Sequence, residues 1–392
     1  MNSSRGSLWR KWDLHVHTPA SIVQHYGSNS EETWERFISD LEELPKDFSV
    51  LGINDYLFLD GYERLKREKE VNHRLKNIDL LLPVLEFRIS KFAGVNFGSL
   101  KRINFHVVFS NEVEPSTIRS QFLNTLEQGY KLAPGVNEGF WKGSITRESL
   151  ADLGKAVKGS TPIEKRANFG SDLVEGFNNL NLDEEQIFKA LDKTYFKEKF
   201  IIAIGKTEWD SLNWTDGSIA EKKDVINRAE IVFTSAETLN NFRNAKQKLK
   251  DNGVNDLLLD CSDAHRFSDS RDKDRIGKCF TWIKADPTFD GLRQITYESE
   301  RVYVGERPPI LDKVRNNRTK YIQSLQINKV INSRLNETWF ENLTLEFNPQ
   351  LVTIIGNKGN GKSALLDILG LVGDTKNHSN FSFLNNTRFK KT

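Results

Sequence analysis

The chain has 392 residues, too many for one small domain and enough for two or three unless a barrel absorbs most of them. Hydrophobic residues make up 38% and charged ones 28%, with 25 Phe, 8 Trp and 8 Tyr, which excludes disorder throughout and supplies a substantial core. Fifty-six basic against 54 acidic residues leave a net charge of +2, too small to announce a nucleic-acid or membrane surface by electrostatics alone.

Read in chain order, seven apolar, β-rich runs stand out: Trp12–Val16, Val50–Asn54, Leu80–Phe87, Ile103–Phe109, Phe200–Gly205, Ile231–Thr234 and Asp256–Cys261. Amphipathic stretches between them predict helices over Glu31–Leu44, Gly61–Lys76, Pro115–Gln128, Asp183–Lys197 and Ala236–Asn252. This alternation is the pattern of parallel strands with helical crossovers, an α/β fold whose site lies past the carboxyl ends of its strands. About 130–181 is Gly- and Lys-rich and too long for a connection, so it reads as an insertion.

After Tyr303 the pattern breaks at Gly305-Glu306-Arg307-Pro308-Pro309 and runs into basic, polar sequence, which predicts a linker over 306–320. The first domain then spans 1–305 and the second 321–392, where Ile322–Ile327, Leu343–Phe347 and Leu351–Ile355 read as strands and Ala364–Leu371 as a helix. No run approaches the roughly 18 apolar residues of a spanning helix. Met1–Arg10 lacks a signal-peptide pattern, so a cytoplasmic protein with no membrane partner is expected. Cys261 and Cys279 are the only cysteines, too few for a disulfide framework or a cysteine-based zinc site, and Cys261 reads as a small buried hydrophobe.

Chemistry concentrates near strand ends. Trp12-Asp13-Leu14-His15-Val16-His17 puts two imidazoles on one strand face, an arrangement suited to a divalent metal. Glu86 ends the third run, His106 lies in the fourth, and Asp263-Ala264-His265 follows the seventh, so four of the seven histidines sit with acidic companions.

Asp13-Leu14-His15-Val16-His17-Thr18, Leu51-Gly52-Ile53-Asn54-Asp55-Tyr56, Pro83-Val84-Leu85-Glu86, Phe105-His106 and Ser262-Asp263-Ala264-His265 resemble successive motifs of the PHP (polymerase and histidinol phosphatase) domain, over about residues 8–300. The resemblance implies a distorted seven-stranded β/α barrel with phosphoesterase activity. It also implies that His15, His17, Glu86 and Asp263 surround one metal, with Glu86 bridging to a second held by His106. Some family positions are altered. Asp55-Tyr56 stands where the motif usually ends in Asp-His, the acid or His soon after His17 is missing with His25 as nearest substitute, and Glu208 stands near where a histidine follows the fifth strand. With little beyond His265 left for the family's third metal, one or two ions (Zn, Mn or Fe) are expected, and Lys206 or Arg266 could stabilise phosphate oxygens.

Gly356-Asn357-Lys358-Gly359-Asn360-Gly361-Lys362-Ser363 matches G-x-x-x-x-G-K-[ST] between a strand and a helix pattern. Backbone amides would wrap the phosphates of ATP, with Lys362 on the β and γ oxygens and Ser363 on Mg²⁺. The surrounding sequence resembles the start of ABC-class ATPases related to chromosome-maintenance (SMC) proteins, and the domain order resembles PHP–ATPase fusions called TrlF-like. No run ending in Asp-Glu and no ABC signature follow, so ATP hydrolysis by this chain alone is not expected. A truncated piece of a longer protein is expected, with the rest of the ATPase lobe supplied in cis or in trans.

The reading is a metal-dependent phosphoesterase, nuclease activity included, coupled to an ABC-type ATPase in nucleic-acid processing or defence. The rivals are a degenerate barrel serving as a non-catalytic binding or regulatory module of the ATPase, and a small-molecule phosphatase.

Overall fold

The computed structural model describes residues 5–92, 102–131, 140–205, 219–331, 340 and 342–385. The chain divides into a larger unit, Trp9–Glu306, and a smaller one of Met1–Leu8 with Arg307–Thr392. Arg5 and Ser7, which sequence boundaries put in the first domain, lend their carbonyls to the Asn348 amide of the smaller unit at 3.2 and 2.9 Å.

The larger unit opens with β1 (Trp9–Val16), α1 (Glu31–Glu42), β2 (Phe48–Asn54), α2 (Asp60–Glu70), β3 (Leu80–Phe92) and β4 (Arg102–Phe109). Next come α3 (Pro115–Gln121), β5 (Glu127–Lys131), β6 (Phe140–Ser144), α4 (Arg147–Ser160), α5 (Asp172–Asn179) and α6 (Glu184–Leu191). It closes with β7 (Phe200–Gly205), α7 (Ile219–Arg228), β8 (Ile231–Thr234), α8 (Leu239–Asp251), β9 (Leu258–Asp260), β10 (Thr281–Lys284), α9 (Phe289–Tyr297) and β11 (Val302–Val304). Helix starts follow capping chemistry: the side chains of Ser30, Thr146, Ser171, Thr238 and Thr288 each accept a backbone N–H of the first turn.

Nine strands, not seven, form one mixed sheet in the order β11-β10-β1-β2-β3-β4-β7-β8-β9. The two additional strands join on the β1 edge, β10 antiparallel to β1 and β11 antiparallel to β10. The sheet curls until the chain just past β9 meets β1: Val16 bridges Ala264, and His17 N–H donates to Ala264 O at 3.0 Å. The result is a nearly closed, barrel-like sheet with helices packed outside it.

The expectation of parallel strands throughout fails at β4, which runs antiparallel to both β3 and β7. Only residues 93–101 join β3 to β4, too few for a crossover helix. The helix expected over Pro115–Gln128 stops at Gln121, because Glu127–Lys131 is recruited to pair with β6. Hairpin β5–β6, α4 and α5 occupy the stretch read as an insertion, while α7 and α9 were not anticipated.

The strand faces separate cleanly. Leu85, Phe87 and Ile89 of β3 pack outward with Ile118 of α3 and Ile187 of α6, whereas Val84 joins Trp12, Leu14, Val108 and Phe233 in an inner cluster. Alternation then puts Glu86 and Arg88 on the inner face of β3, and His106 and Asn104 on the inner face of β4 beside Val108. Trp12, Leu14, Val84 and Val108 form the apolar inner cluster, and Glu86, Arg88, Asn104 and His106 line one cavity.

The smaller unit holds α10 (Pro309–Asn316), an antiparallel pair β12 (Ser324–Ile327) and β13 (Leu343–Glu346), and α11 (Lys362–Val372). Half of the expected linker is thus helical, started by Pro309 at the first helical turn. Leu351–Ile355, expected as a strand, forms none: no neighbouring strand among the described residues pairs with it, and Leu351 and Ile355 are 86% and 85% exposed. No described helix is long and apolar enough to cross a membrane.

Candidate metal centre

β1 delivers the two imidazoles through a bulge. Asp13 pairs with Leu51 but Val16 pairs with Ile53, so β1 spends one more residue than β2 over that stretch. The extra residue turns His15 and His17 to the inner side that Trp12 and Leu14 already occupy. The two Nε2 atoms lie 3.1 Å apart. Ser21 Oγ sits 3.1 Å from His17 Nδ1 and orients that ring from behind.

Two carboxylates converge on the pair. Glu86 Oε2 is 3.3 Å from His15 Nε2 and 4.0 Å from His17 Nε2. Asp263 Oδ1 is 3.2 and 3.6 Å from the same atoms. On the neighbouring strand His106 Nε2 lies 3.5 Å from Glu86 Oε2, and neither nitrogen of this buried ring has a hydrogen-bond partner among the described residues. Asn54, which spacing alone does not single out, completes the floor. Its Oδ1 accepts the Tyr56 N–H at 3.0 Å, leaving Nδ2 to donate to Glu86 Oε2 at 2.7 Å.

The donor set fits a divalent ion. Ligands held about 2.0–2.2 Å from one tetrahedral ion stand roughly 3.4 Å from each other, and the His15, His17 and Asp263 atoms are separated by 3.1 to 3.6 Å. His15, Glu86 and His106 form a second such group. A single Nε2 lone pair serves one ion only, so Glu86 is the group able to reach both positions. With no hydrogen bond to another described side chain, the His106 nitrogens remain available as donors to a cation.

Electrostatics agree. Burial works to deprotonate His15, but the carboxylates of Asp263 and Glu86 outweigh it and raise its pKa to about 9. Burial, reinforced by His265, lowers His17 to about 3, and burial lowers His106 as well. Against its own burial, Asp263 is held at about 2 by His15 and His17. Glu86 is likewise held well below the usual carboxylate range by His106 and His15. These shifts favour a protonated His15 between the two carboxylates, with Asn54 Nδ2 2.7 Å from its Nε2, at the place a cation would take. Binding an ion must expel that proton, so apparent affinity should rise about tenfold per pH unit up to about pH 9. Chelator competition between pH 6 and 8 measures this, and a flat profile would contradict it.

Other expected residues are placed differently. His265 stacks on His17 at 4.0 Å; its Nδ1 donates to Asp263 O at 2.7 Å, 3.7 Å from Asp263 Oδ1, and its Nε2 accepts from Tyr56 Oη at 3.1 Å, so both nitrogens already have partners. Burial raises the Tyr56 phenol well above its ordinary value, which keeps it a neutral donor. Tyr56 and Asp263 both adopt left-handed backbone, φ 59° and 51°, strain of about 1–3 kcal/mol each that commonly marks functional sites. Asp55 is structural: it accepts from Thr18 N and Oγ1, both at 2.9 Å, and from Gly61 N at 3.1 Å. Arg266 is committed to Asp272 and Asp274 at 3.0 and 3.3 Å, and His25 is exposed. Lys206 and Glu208 lie outside the described residues.

In the smaller unit, residues 356–363 form a turn leading into α11. Gly356, Gly359 and Gly361 have φ of 156°, 93° and 76°. At Gly361 a side chain would also strike the Phe340 ring, 2.9 Å from the position of a Cβ. Lys362 Nζ folds back onto the carbonyls of Gly356 and Asn357 at 2.6 and 2.7 Å, so its charge is held at the mouth of the loop. No family model matches the chain, and no curated protein matches it.

Proposed function

We propose that the larger unit is a PHP-type, metal-dependent phosphoester hydrolase and that residues 356–363 bind a nucleoside triphosphate with Mg²⁺. The observation that carries the first half is that His15 Nε2 and His17 Nε2 lie 3.1 to 4.0 Å from each other and from the Glu86 and Asp263 carboxylates, beside a buried His106 with no hydrogen-bond partner among the described residues. One or two divalent ions, Zn²⁺, Mn²⁺ or Fe²⁺, would supply Lewis acidity toward the phosphoester and its attacking water. His15, His17 and Asp263 would hold one ion, and Glu86 with His106 would reach a second. Asn54 fixes the Glu86 carboxylate and Ser21 fixes His17. Tyr56, donating to His265, braces the Asp263 turn. Phe233 lines the cavity and lends an apolar wall that limits water.

Full-length protein reconstituted with each metal should hydrolyse p-nitrophenyl phosphate, its diester, or DNA or RNA oligonucleotides, and chelation should silence it. Metal-replete protein inactive on the whole panel, with and without ATP, would favour the second reading, a binding or regulatory barrel. The Tyr56 hydroxyl on His265 is the feature that favours it, because it closes a further ligation position.

For the loop, the supporting observations are its three positive-φ glycines and the Lys362 ammonium at its mouth. Lys362→Ala should weaken ATP binding about 10- to 100-fold, the worth of one charge-assisted contact to phosphate, measured by titration with a fluorescent ATP analogue. Strands from the remaining ATPase lobe, in cis or in trans, would cover the exposed Leu351 and Ile355.

A further inference from the structure

The inner face of the β3–β4 pair carries two successive rungs of side chains. Glu86 stands opposite His106, and one rung along the same face Arg88 stands opposite Asn104. All four line one cavity of about 110 Å³ together with His15 and Asp263. The proposed metal centre uses the first rung and leaves the second unexplained.

Arg88 is anchored without being neutralised. Its Nη1 donates to Asn178 Oδ1 at 3.0 Å, and its guanidinium carbon lies 4.3 Å from the centre of the Phe177 ring. Both partners belong to α5 of the insertion, and Phe177 also packs on Tyr56 with ring centres 4.6 Å apart. No carboxylate among the described residues lies within ion-pair distance of Arg88. Asn178 accepts from one of its five N–H donors, and a guanidinium so fixed at a cavity wall suits the forked recognition of an oxyanion.

The spacing selects which oxyanion. Two residues along a strand set side chains about 7 Å apart. One phosphate spans that gap when one oxygen meets a cation at about 2.1 Å and another accepts from a guanidinium at about 2.8 Å. We propose that Arg88, positioned by Asn178 and Phe177, grips the non-bridging oxygens of the phosphate under attack, with Asn104 beside it as a second donor. This rests on the phosphoester reading and adds to it the residue that recognises the substrate.

The test titrates inorganic phosphate into full-length protein loaded with Mn²⁺ or Zn²⁺, by calorimetry, with metal content measured on each sample. Wild type should bind phosphate. Arg88→Gln should bind it about 10- to 100-fold more weakly at unchanged metal stoichiometry. Arg88→Lys, which keeps the charge and loses the fork, should fall between, and it carries the test if Arg88→Gln does not fold. Equal phosphate affinity in wild type and the Arg88 variants, or metal-loaded wild type that binds no phosphate, overturns the inference and leaves the metal centre standing. Wild type that takes up no metal overturns the hydrolase reading and this inference with it.

Discussion

His15→Ala is expected to lower affinity for a divalent ion about 100- to 1,000-fold and to abolish metal-dependent hydrolysis with it. His15 Nε2 lies within 3.3 Å of His17, Glu86 and Asp263 alike, so its loss opens the centre of the cluster and not its edge. Structural zinc sites are worth about 10–16 kcal/mol over four ligands, and removal of one such ligand costs several of those. The metal-free protein should also suffer. Glu86 is buried, and without the proton on His15 its charge loses one of the imidazoles that hold it ionised. Breaking a buried pair by deleting one partner costs roughly 3–5 kcal/mol, less here because Asn54 and His106 remain. Metal content after dialysis, together with thermal unfolding of metal-free protein, reads both effects. Unchanged stoichiometry would remove His15 from the centre.

The second large effect is expected at a residue without any functional group. Gly52→Ala should destabilise the larger unit by about 1–3 kcal/mol and weaken metal binding at least about tenfold. A Cβ at Gly52 would sit 2.5 Å from Leu14 O, 2.7 Å from its carbonyl carbon and 2.8 Å from its Cα, and backbone atoms cannot rotate aside. Leu14 lies in the bulge that turns His15 inward, so relief of the clash must move the strand bearing both imidazoles. The sign is informative. At an unstrained position Gly→Ala stabilises by about 0.4–1 kcal/mol through the unfolded chain. A variant with raised melting temperature and intact metal affinity would show that the bulge does not set the site.

Much of this was legible in the sequence because the chemistry follows the two-residue period of strands. Alternation alone places Glu86, and would place Arg88, on one face, and the apolar runs mark the strands that carry His15, His106 and the Asp263 turn. The bulge was not legible: it depends on a close approach of Leu14 to Gly52 across two strands. Asn54 carries no spacing signal, and its role appears only when Tyr56 N–H claims its oxygen. β10 and β11 are four and three residues long, too short for a periodic signature. Simple alternation of strands and helices suggested parallel pairing, and only the short 93–101 connection could have revealed that β4 turns back. Arg266 looked available because it follows His265 in sequence, whereas Asp272 and Asp274 return to it in space.

X-ray absorption spectroscopy of full-length protein reconstituted with one equivalent of Zn²⁺ tests the central claim most directly. The account predicts a first shell of nitrogen and oxygen at about 2.0–2.1 Å with the outer-shell scattering of two imidazoles. Sulfur at about 2.3 Å, which would implicate Cys261 at the cavity wall, or a shell without imidazole would contradict it.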